Sequence, residues 1–328
     1  MNGGFEKRRV AGPPFRHPVG EEFGIAGHDM VHNAVPRRID SMTSRTAEWT
    51  CVSRAASSFE IDAHYHSDDG LAALLVPGYL RTLLQLRAGR AVFRRFLAKR
   101  GMYEYVIART KYIDAAFRQA LADDFDQIVL FGAGFDTRAL RIPAESSRTR
   151  VFELDVPRTQ NAKIERYRQR NFAVPPTLKL IAMDFDRESI REKLEQFGFR
   201  EQDRTLFILE GVLMYLLPTS VDALFRTLQS LSSVGSRLVF DYVCASVLRG
   251  EMTLYGEAGL LEAVKRVGEQ WRFGLEPEQV GLFLSKYGFA LIDHKDATEL
   301  ERLYFVDSNG LIAGRINATQ SLVTAALP

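Results

Sequence analysis

Gln127-Ile-Val-Leu-Phe-Gly-Ala-Gly-Phe-Asp-Thr-Arg138 is the stretch whose reading decides the fold. Ile128, Val129, Leu130 and Phe131 form the short, β-rich apolar run expected of a strand buried on both faces. The run breaks at Gly132 and Gly134. Two glycines one residue apart allow unusual backbone dihedrals and leave bare backbone against which a ligand can lie. Asp136 and Thr137 follow as candidate caps of a helix, so the stretch reads as a strand, a ligand-cradling loop and a helix start.

A second short strand is expected over Thr149–Asp155, Thr-Arg-Val-Phe-Glu-Leu-Asp. Its terminal acid lies about twenty residues beyond the loop, where nucleotide-binding folds present a carboxylate to ribose hydroxyls. Thr137 occupies the place of the third glycine of a dinucleotide fingerprint, the one that permits packing beside a pyrophosphate. A nucleoside without pyrophosphate therefore fits better, and S-adenosylmethionine is such a ligand. A nicotinamide oxidoreductase is disfavoured by Thr137 and by Glu210 at the expected tail site.

Composition sets wider bounds. At 328 residues and 46% hydrophobic content, the chain can bury a large core. A formal net charge of +2 gives no concentrated basic field, so nucleic acid is not an expected partner. Two cysteines, Cys51 and Cys244, offer neither a disulfide framework nor a zinc spacing, and no metal is expected. Lys7, Arg8 and Arg9 are followed by no apolar stretch, and no segment is long enough to cross a bilayer. A cytoplasmic protein without a membrane partner is the expectation.

Residues 1–40, rich in Gly and Pro, read as an irregular tail in which His28 and His32 are solvated, not a metal pair. From residue 41 to 328 the chain reads as one domain. Its first layer, 41–121, is helical: a helix capped by Ser44 with Trp49, Val52 and Ala56 near helical spacing, then helices over Gly89–Arg100 and Met102–Leu121. The last of these carries Arg109 and Lys111, read either as surface charges or as supplying one basic head to the ligand's carboxylate. Strand-like runs at Leu178–Phe185, Thr205–Glu210 and Arg237–Val243 alternate with helices over Arg187–Phe197 and Thr219–Leu231, predicting βαβ units and a mostly parallel sheet. Phe289–Lys295 and Leu303–Val306 read as an antiparallel hairpin closing the sheet, and 244–275 as a helical insertion able to cover the site.

Ligands of open α/β sheets sit beyond the carboxyl ends of the strands. Acids stand at four of these ends: Asp155, Asp184, Glu210 and Asp241. Asp155 can accept from ribose hydroxyls and Asp184 from an adenine amino group, with Phe185 beside the ring. Glu210 can face the ammonium of an amino-acid tail or pair with a buried arginine, and Tyr215 can line the reacting centre or serve only the core.

Gly132-Ala-Gly-Phe-Asp-Thr-Arg138, Val151-Phe-Glu-Leu-Asp155, Glu210-Gly-Val-Leu-Met-Tyr215 and Ser44-Arg-Thr-Ala47 together resemble the leucine carboxyl methyltransferase family, nearest its bacterial polyketide carboxyl O-methyltransferase-like branch. The resemblance spans roughly 41–310 and implies a class I methyltransferase fold, Rossmann-like, with an N-terminal helical extension and a helical lid. Carried over by position, it implies that Arg109 holds the carboxylate of S-adenosyl-L-methionine, Gly132 and Gly134 its tail, Asp155 its ribose, Asp184 and Phe185 its adenine, and Glu210 its methionyl end. Arg45 matches an early basic residue of the family, and Val156 departs from the glutamine that many relatives place before the proline. Glu210 and Tyr215 are the candidate catalytic residues. The implied reaction is O-methylation of a small-molecule carboxylic acid. The alternatives are a hydroxyl acceptor, a protein C-terminal carboxyl, or a cofactor-binding regulatory protein without turnover.

Overall fold

The computed structural model describes residues 45–97, 100–143, 148–185, 187–266 and 270–328, all within the compact unit Arg37–Pro328. The expected tail over 1–40, with His28 and His32, and the Ser44 cap lie outside the described residues.

The helical layer begins with α1 (Arg45–Ser58), whose Cys51, Ala55 and Ala56 are fully buried while Trp49 and Val52 pack against the same core. Two short helices absent from the sequence reading follow, α2 (Ala72–Leu75) and α3 (Gly78–Gln85). Pro77 and Gly78 look like helix breakers, but they stand at the start of α3, where a missing N–H breaks no intrahelical bond. The helix expected over 89–100 is α4 (Arg87–Val92), which runs into a π turn at Phe93–Leu97. α5 (Met102–Ala122) agrees with its expectation and buries Tyr105, Ile113 and Phe117.

Beyond it come β1 (Gln127–Phe131), β2 (Arg150–Asp155), α6 (Pro157–Gln169), β3 (Leu178–Ala182), α7 (Ile190–Gln196), β4 (Thr205–Leu209), α8 (Pro218–Leu231) and β5 (Arg237–Val243). α9 (Ala245–Arg249), α10 (Leu260–Arg266), α11 (Val280–Ser285), β6 (Ala290–Lys295), α12 (Ala297–Tyr304) and β7 (Gln320–Ala326) complete the chain. The seven strands are ordered β3-β2-β1-β4-β5-β7-β6, with the first five parallel and β7 antiparallel to both of its neighbours. Strand alternation divides the core between the two faces. Ile128 and Leu130 join the cluster under α1 and α5, while Val129 and Phe131 join the one under α7, α8 and α11.

The closing pair differs from the expected hairpin. Leu303 belongs to α12, and Val306 makes only an isolated bridge to Ile312. Asp296 and Glu299 form a reciprocal capping box that starts a helix where a second strand was read. The true partner of β6 is β7, whose Ser321, Thr324, Ala325 and Ala326 dilute the apolar signal around Leu322 and Val323. Among the described residues no helix is long and apolar enough to cross a membrane.

One buried pair ties α6 to the sheet. Lys163 donates to a carboxylate oxygen of Glu153, both side chains being fully buried, and Gln160 Nε2 donates to the Glu153 carbonyl at 2.8 Å. Burial pushes the Glu153 carboxyl up while the Lys163 ammonium pulls it back. Removing one partner strands the other charge. Lys163→Ala is expected to cost about 3 to 5 kcal/mol in chemical denaturation, and the double replacement Glu153→Leu with Lys163→Met to recover most of that loss. Equal stability of Lys163→Ala and the wild type would remove the pair from the account of the fold.

Candidate functional site

The loop after β1 is shaped by two left-handed glycines, Gly132 at φ 58° and Gly134 at φ 51°. A Cβ on Gly132 would lie 2.9 Å from Val212 Cγ2, and one on Gly134 would lie 3.3 Å from the Ala47 methyl. A side chain at Gly132 is thus opposed on steric as well as torsional grounds, and one at Gly134 chiefly on torsional grounds. The loop is clasped to the next strand: Gly134 N donates to Asp155 Oδ2 at 2.5 Å, and Val156 N to Asp155 Oδ1 at 2.7 Å. Burial raises the Asp155 carboxyl to about 6, against the lowering effect of these two N–H donors.

The helix expected straight after the loop is only a 3-10 turn, Arg138–Arg141. Asp136 Oδ1 accepts from Arg138 N at 2.7 Å, but Thr137 caps nothing and gives its hydroxyl to Asp69. Pro143 stands two residues past the turn and disfavours helical backbone at Ile142, which is extended.

Below the loop lies a connected set of buried charges. Arg138 Nε donates to Asp114 Oδ1 at 2.6 Å, and its Nη1 donates to Glu210 Oε2 at 2.8 Å and also to Asp136. Arg109 Nη1 donates to Asp241 Oδ2 at 2.8 Å, and its Nε lies 3.1 Å from Glu210 Oε1. Asp241 also accepts from Tyr105 Oη at 3.0 Å and Gly211 N at 2.6 Å. Arg141 reaches Asp114 at 2.9 Å, and Arg54 links Asp69 at 3.2 Å to the Phe135 carbonyl at 2.7 Å. Burial alone would raise the Glu210 carboxyl, but Arg138 and Arg109 outweigh it and hold it below the ordinary carboxylate range. The same balance, with Arg138 the chief lowering influence, takes Asp136 to about 2.

The structure joins Gly134 to Asp155 and Arg109 to Glu210 directly. Arg45 is the exposed first residue of α1; the next two residues reach the site, Thr46 accepting from Tyr215 Oη at 3.4 Å and Ala47 covering Gly134. Tyr215 ends a single 3-10 turn, Leu213–Tyr215. β3 stops at Ala182, earlier than read. Met183 N then donates to the Asp155 carbonyl at 2.9 Å, which carries Asp184 and half-buried Phe185 along the same rim. The Asp184 carboxylate lies 3.5 Å from Arg187 Nε. His294 is half-buried and shares a hydrogen bond of 2.9 Å with Tyr242. Among the described residues no group of three or more His, Cys, Asp or Glu is arranged for a metal ion.

Sequence reading missed Arg138, Asp136, Asp114, Asp69 and Arg54 as members of this network. The signal was an unusual density of opposite charges in apolar surroundings: Arg109 and Asp114 on one helix, and Asp136, Arg138 and Arg141 in six residues.

The topology, with the glycine loop and terminal acid at the switch point between β1 and β4, is that of the class I methyltransferases. The family model described as leucine carboxyl methyltransferase matches residues 47–229, more than half of the chain, and the protein belongs to that family. A Bacillus subtilis protein with the provisional name S-adenosyl-L-methionine-dependent methyltransferase YktD is 27% identical over 61% of this chain and 65% of its own length. A similarly named Mycobacterium marinum protein is 33% identical over 62% of this chain and 67% of its own, and one from Mycobacterium avium is 32% identical over 52% of each. The chain thus spans between about half and two thirds of the curated relatives it matches. A solved structure from Thermobifida fusca, provisionally titled a methyltransferase, has a TM-score of 0.52 at 16% identity, covering 85% of this chain and 94% of that one. A DUF574 family protein from Streptomyces avermitilis also has a TM-score of 0.52, at 14% identity, covering 89% and 100%. These two establish the fold.

Arg138 gives the network a measurable pH signature. Asp136, Asp114 and Glu210 have depressed values, so their contribution to stability is present above the unfolded carboxyl range and lost as pH falls through the folded values. Wild-type stability should fall steeply between about pH 4 and pH 2. Arg138→Met should cost about 3 to 5 kcal/mol at pH 7 and flatten that acid limb. Denaturant titrations across this range in both proteins check it, and parallel curves would show that Arg138 does not set the three carboxylates.

Proposed function

We propose that the protein is an S-adenosyl-L-methionine-dependent O-methyltransferase that converts a carboxyl group of a small, natural-product-like acid into a methyl ester. The observation carrying the cofactor reading is the bare Gly132–Gly134 loop clasped to the buried Asp155 carboxylate. The two left-handed glycines hold the loop in a turn that side-chain-bearing residues rarely adopt, and in this reading the acid clasped to it serves the ribose. The residues fit the group: Asp155 for the ribose hydroxyls, Asp184 and Phe185 for the adenine edge, Gly132 and Gly134 beside the amino-acid tail, and Glu210 with Arg109 for its ammonium and carboxylate. Arg45, at the start of α1, lies close in sequence to the two residues that touch Tyr215 and Gly134. When bound, the cofactor supplies an electrophilic methyl group on a sulfonium.

The protein's task is then alignment and exclusion of water. Glu210 is held ionised by two arginines and is not poised to take a proton at neutral pH, and the Asp241 carboxylate is already occupied as acceptor for Arg109, Tyr105 and Gly211. An acceptor that is already ionised suits such a rim, and family membership points to carboxyl chemistry. In this reading Glu210 orients the tail and Tyr215 aligns the acceptor; neither acts as a base. The segment 244–275 serves as the cover. It is anchored next to Tyr215, because Arg272 N donates to the Met214 carbonyl at 2.6 Å and Trp271 packs in a cluster with Met214.

Two measurements test the proposal. Asp155→Ala should weaken cofactor binding by about tenfold or more in calorimetry. Wild-type affinity should also fall about tenfold from pH 7 to pH 5, because a carboxyl near 6 is ionised above that value and protonated below it. Absence of binding by the folded wild type would sink the cofactor assignment. For the acceptor, labelled S-adenosyl-L-methionine and a panel of carboxylic acids should give product that releases methanol in mild base. The single-turnover rate at saturation should be nearly flat from about pH 6.5 to 9, since an ordinary carboxyl is ionised throughout. A rate rising tenfold per pH unit with an alkali-stable product would move the acceptor to a hydroxyl.

A further inference from the structure

Between Leu71 and Tyr103 the chain has no acidic residue but seven basic ones, Arg81, Arg87, Arg90, Arg94, Arg95, Lys99 and Arg100, in a protein whose overall net charge is only +2. Arg90 is internal: it is buried, lies 3.2 Å from the Glu60 carboxylate, and donates to the Leu84 and Gln85 carbonyls at the end of α3. Arg87, Arg94, Arg95 and Arg100 are exposed. The same stretch exposes large apolar groups: Tyr79 at 74%, Phe96 at 73% and Leu86 at 59%, together with Leu83 and Val92. Their spacing groups them. Tyr79 and Leu83 are four apart on α3, and Ala88 and Val92 are four apart on α4, with Phe96 in the π turn that follows; the extended Leu86 joins the two helices. Leu84 and Phe93 point the other way, into the core with Trp49 and Tyr103. α3 and α4 are pressed tightly together, for a Cβ on Gly89 would fall 2.0 Å from the Leu83 carbonyl oxygen.

We propose that this outer face of α3 and α4 docks on an anionic lipid surface. Apolar side chains exposed singly are ordinary, but five large ones interleaved with guanidiniums form a basic amphipathic face. On a bilayer, Phe96, Tyr79, Leu83, Leu86 and Val92 enter the headgroup boundary while the arginines stay at the level of the lipid phosphates. A second copy of the chain is a poorer occupant, since a two-fold interface through this face would set acid-free basic stretches against each other. No helix among the described residues is fit to cross a bilayer, so the contact is peripheral, and it amends the expectation that no membrane is involved. The proposal stands on this surface alone and does not require the methyltransferase reading.

The test is co-sedimentation of the full chain with vesicles of phosphatidylglycerol in phosphatidylcholine, against phosphatidylcholine alone, at low and high salt. Binding should be about tenfold tighter to the anionic vesicles and should weaken as salt rises. The surface variants Arg87→Ser/Arg95→Ser and Leu83→Ser/Phe96→Ser should each lose about tenfold in binding with an unchanged thermal midpoint. Failure to bind anionic vesicles, equal binding to neutral ones, or wild-type binding by both variants overturns the proposal. So does self-association abolished by the variants, which would assign the face to a second copy, or capture by an acidic polypeptide with none by vesicles.

Discussion

Everything at the carboxyl edge of the sheet depends on how one buried guanidinium is shared. Arg138 meets Asp114 from α5, Asp136 from the glycine loop and Glu210 from the end of β4. Three separately encoded segments are thereby held at a fixed distance from one cation. A buried arginine with so many ionised partners is stable only as a complete set, since any member left alone would carry an uncompensated charge in a low-dielectric setting. The arrangement also explains the short 3-10 turn after β1. The side chains that would have faced outward on a helix are instead drawn in, Thr137 to Asp69 and Arg138 to its three acids.

Electrostatics divides the acids of the rim into two kinds. Glu210 is tied to Arg138 and Arg109, which hold its carboxyl below the ordinary range and keep it charged. Asp155 is held by two backbone N–H groups, with its side chain buried, and titrates much nearer to neutrality. Donors from ribose hydroxyls would add to those N–H groups and favour its ionised form. Dipoles and charges fixed in this way need little reorganisation when a ligand arrives.

The parallel strands and the glycine loop were legible because their signals are local. Continuous apolar runs, a break at Gly132 and Gly134, and acids at or near the ends of four other strands need only neighbouring residues to be read. Met102–Ala122 was equally plain from its periodicity, as was Arg237–Val243. The failures came where the local pattern was weak or pointed elsewhere. β7 has only Leu322 and Val323 as large apolar residues among small and polar ones, and its strand state follows from lying between β5 and β6. Leu303 looked apolar enough for a strand, but the Asp296–Glu299 capping box committed that segment to helix.

From the sequence alone one can derive the βαβ succession, the loop turned by two glycines, and the carboxylate placed about twenty residues beyond it, because dihedral freedom and apolar patterning are properties of short stretches. Which charges neutralise one another was decided only by tertiary structure. Arg109 and Glu210 are 101 positions apart and Arg138 and Asp114 are 24 apart, yet their ion pairs arise because the helical layer packs α5 on one face of the sheet. Coulomb energy in a buried setting depends on separations of a few ångströms. No spacing along the chain encodes those separations until the sheet and the helices above it have closed.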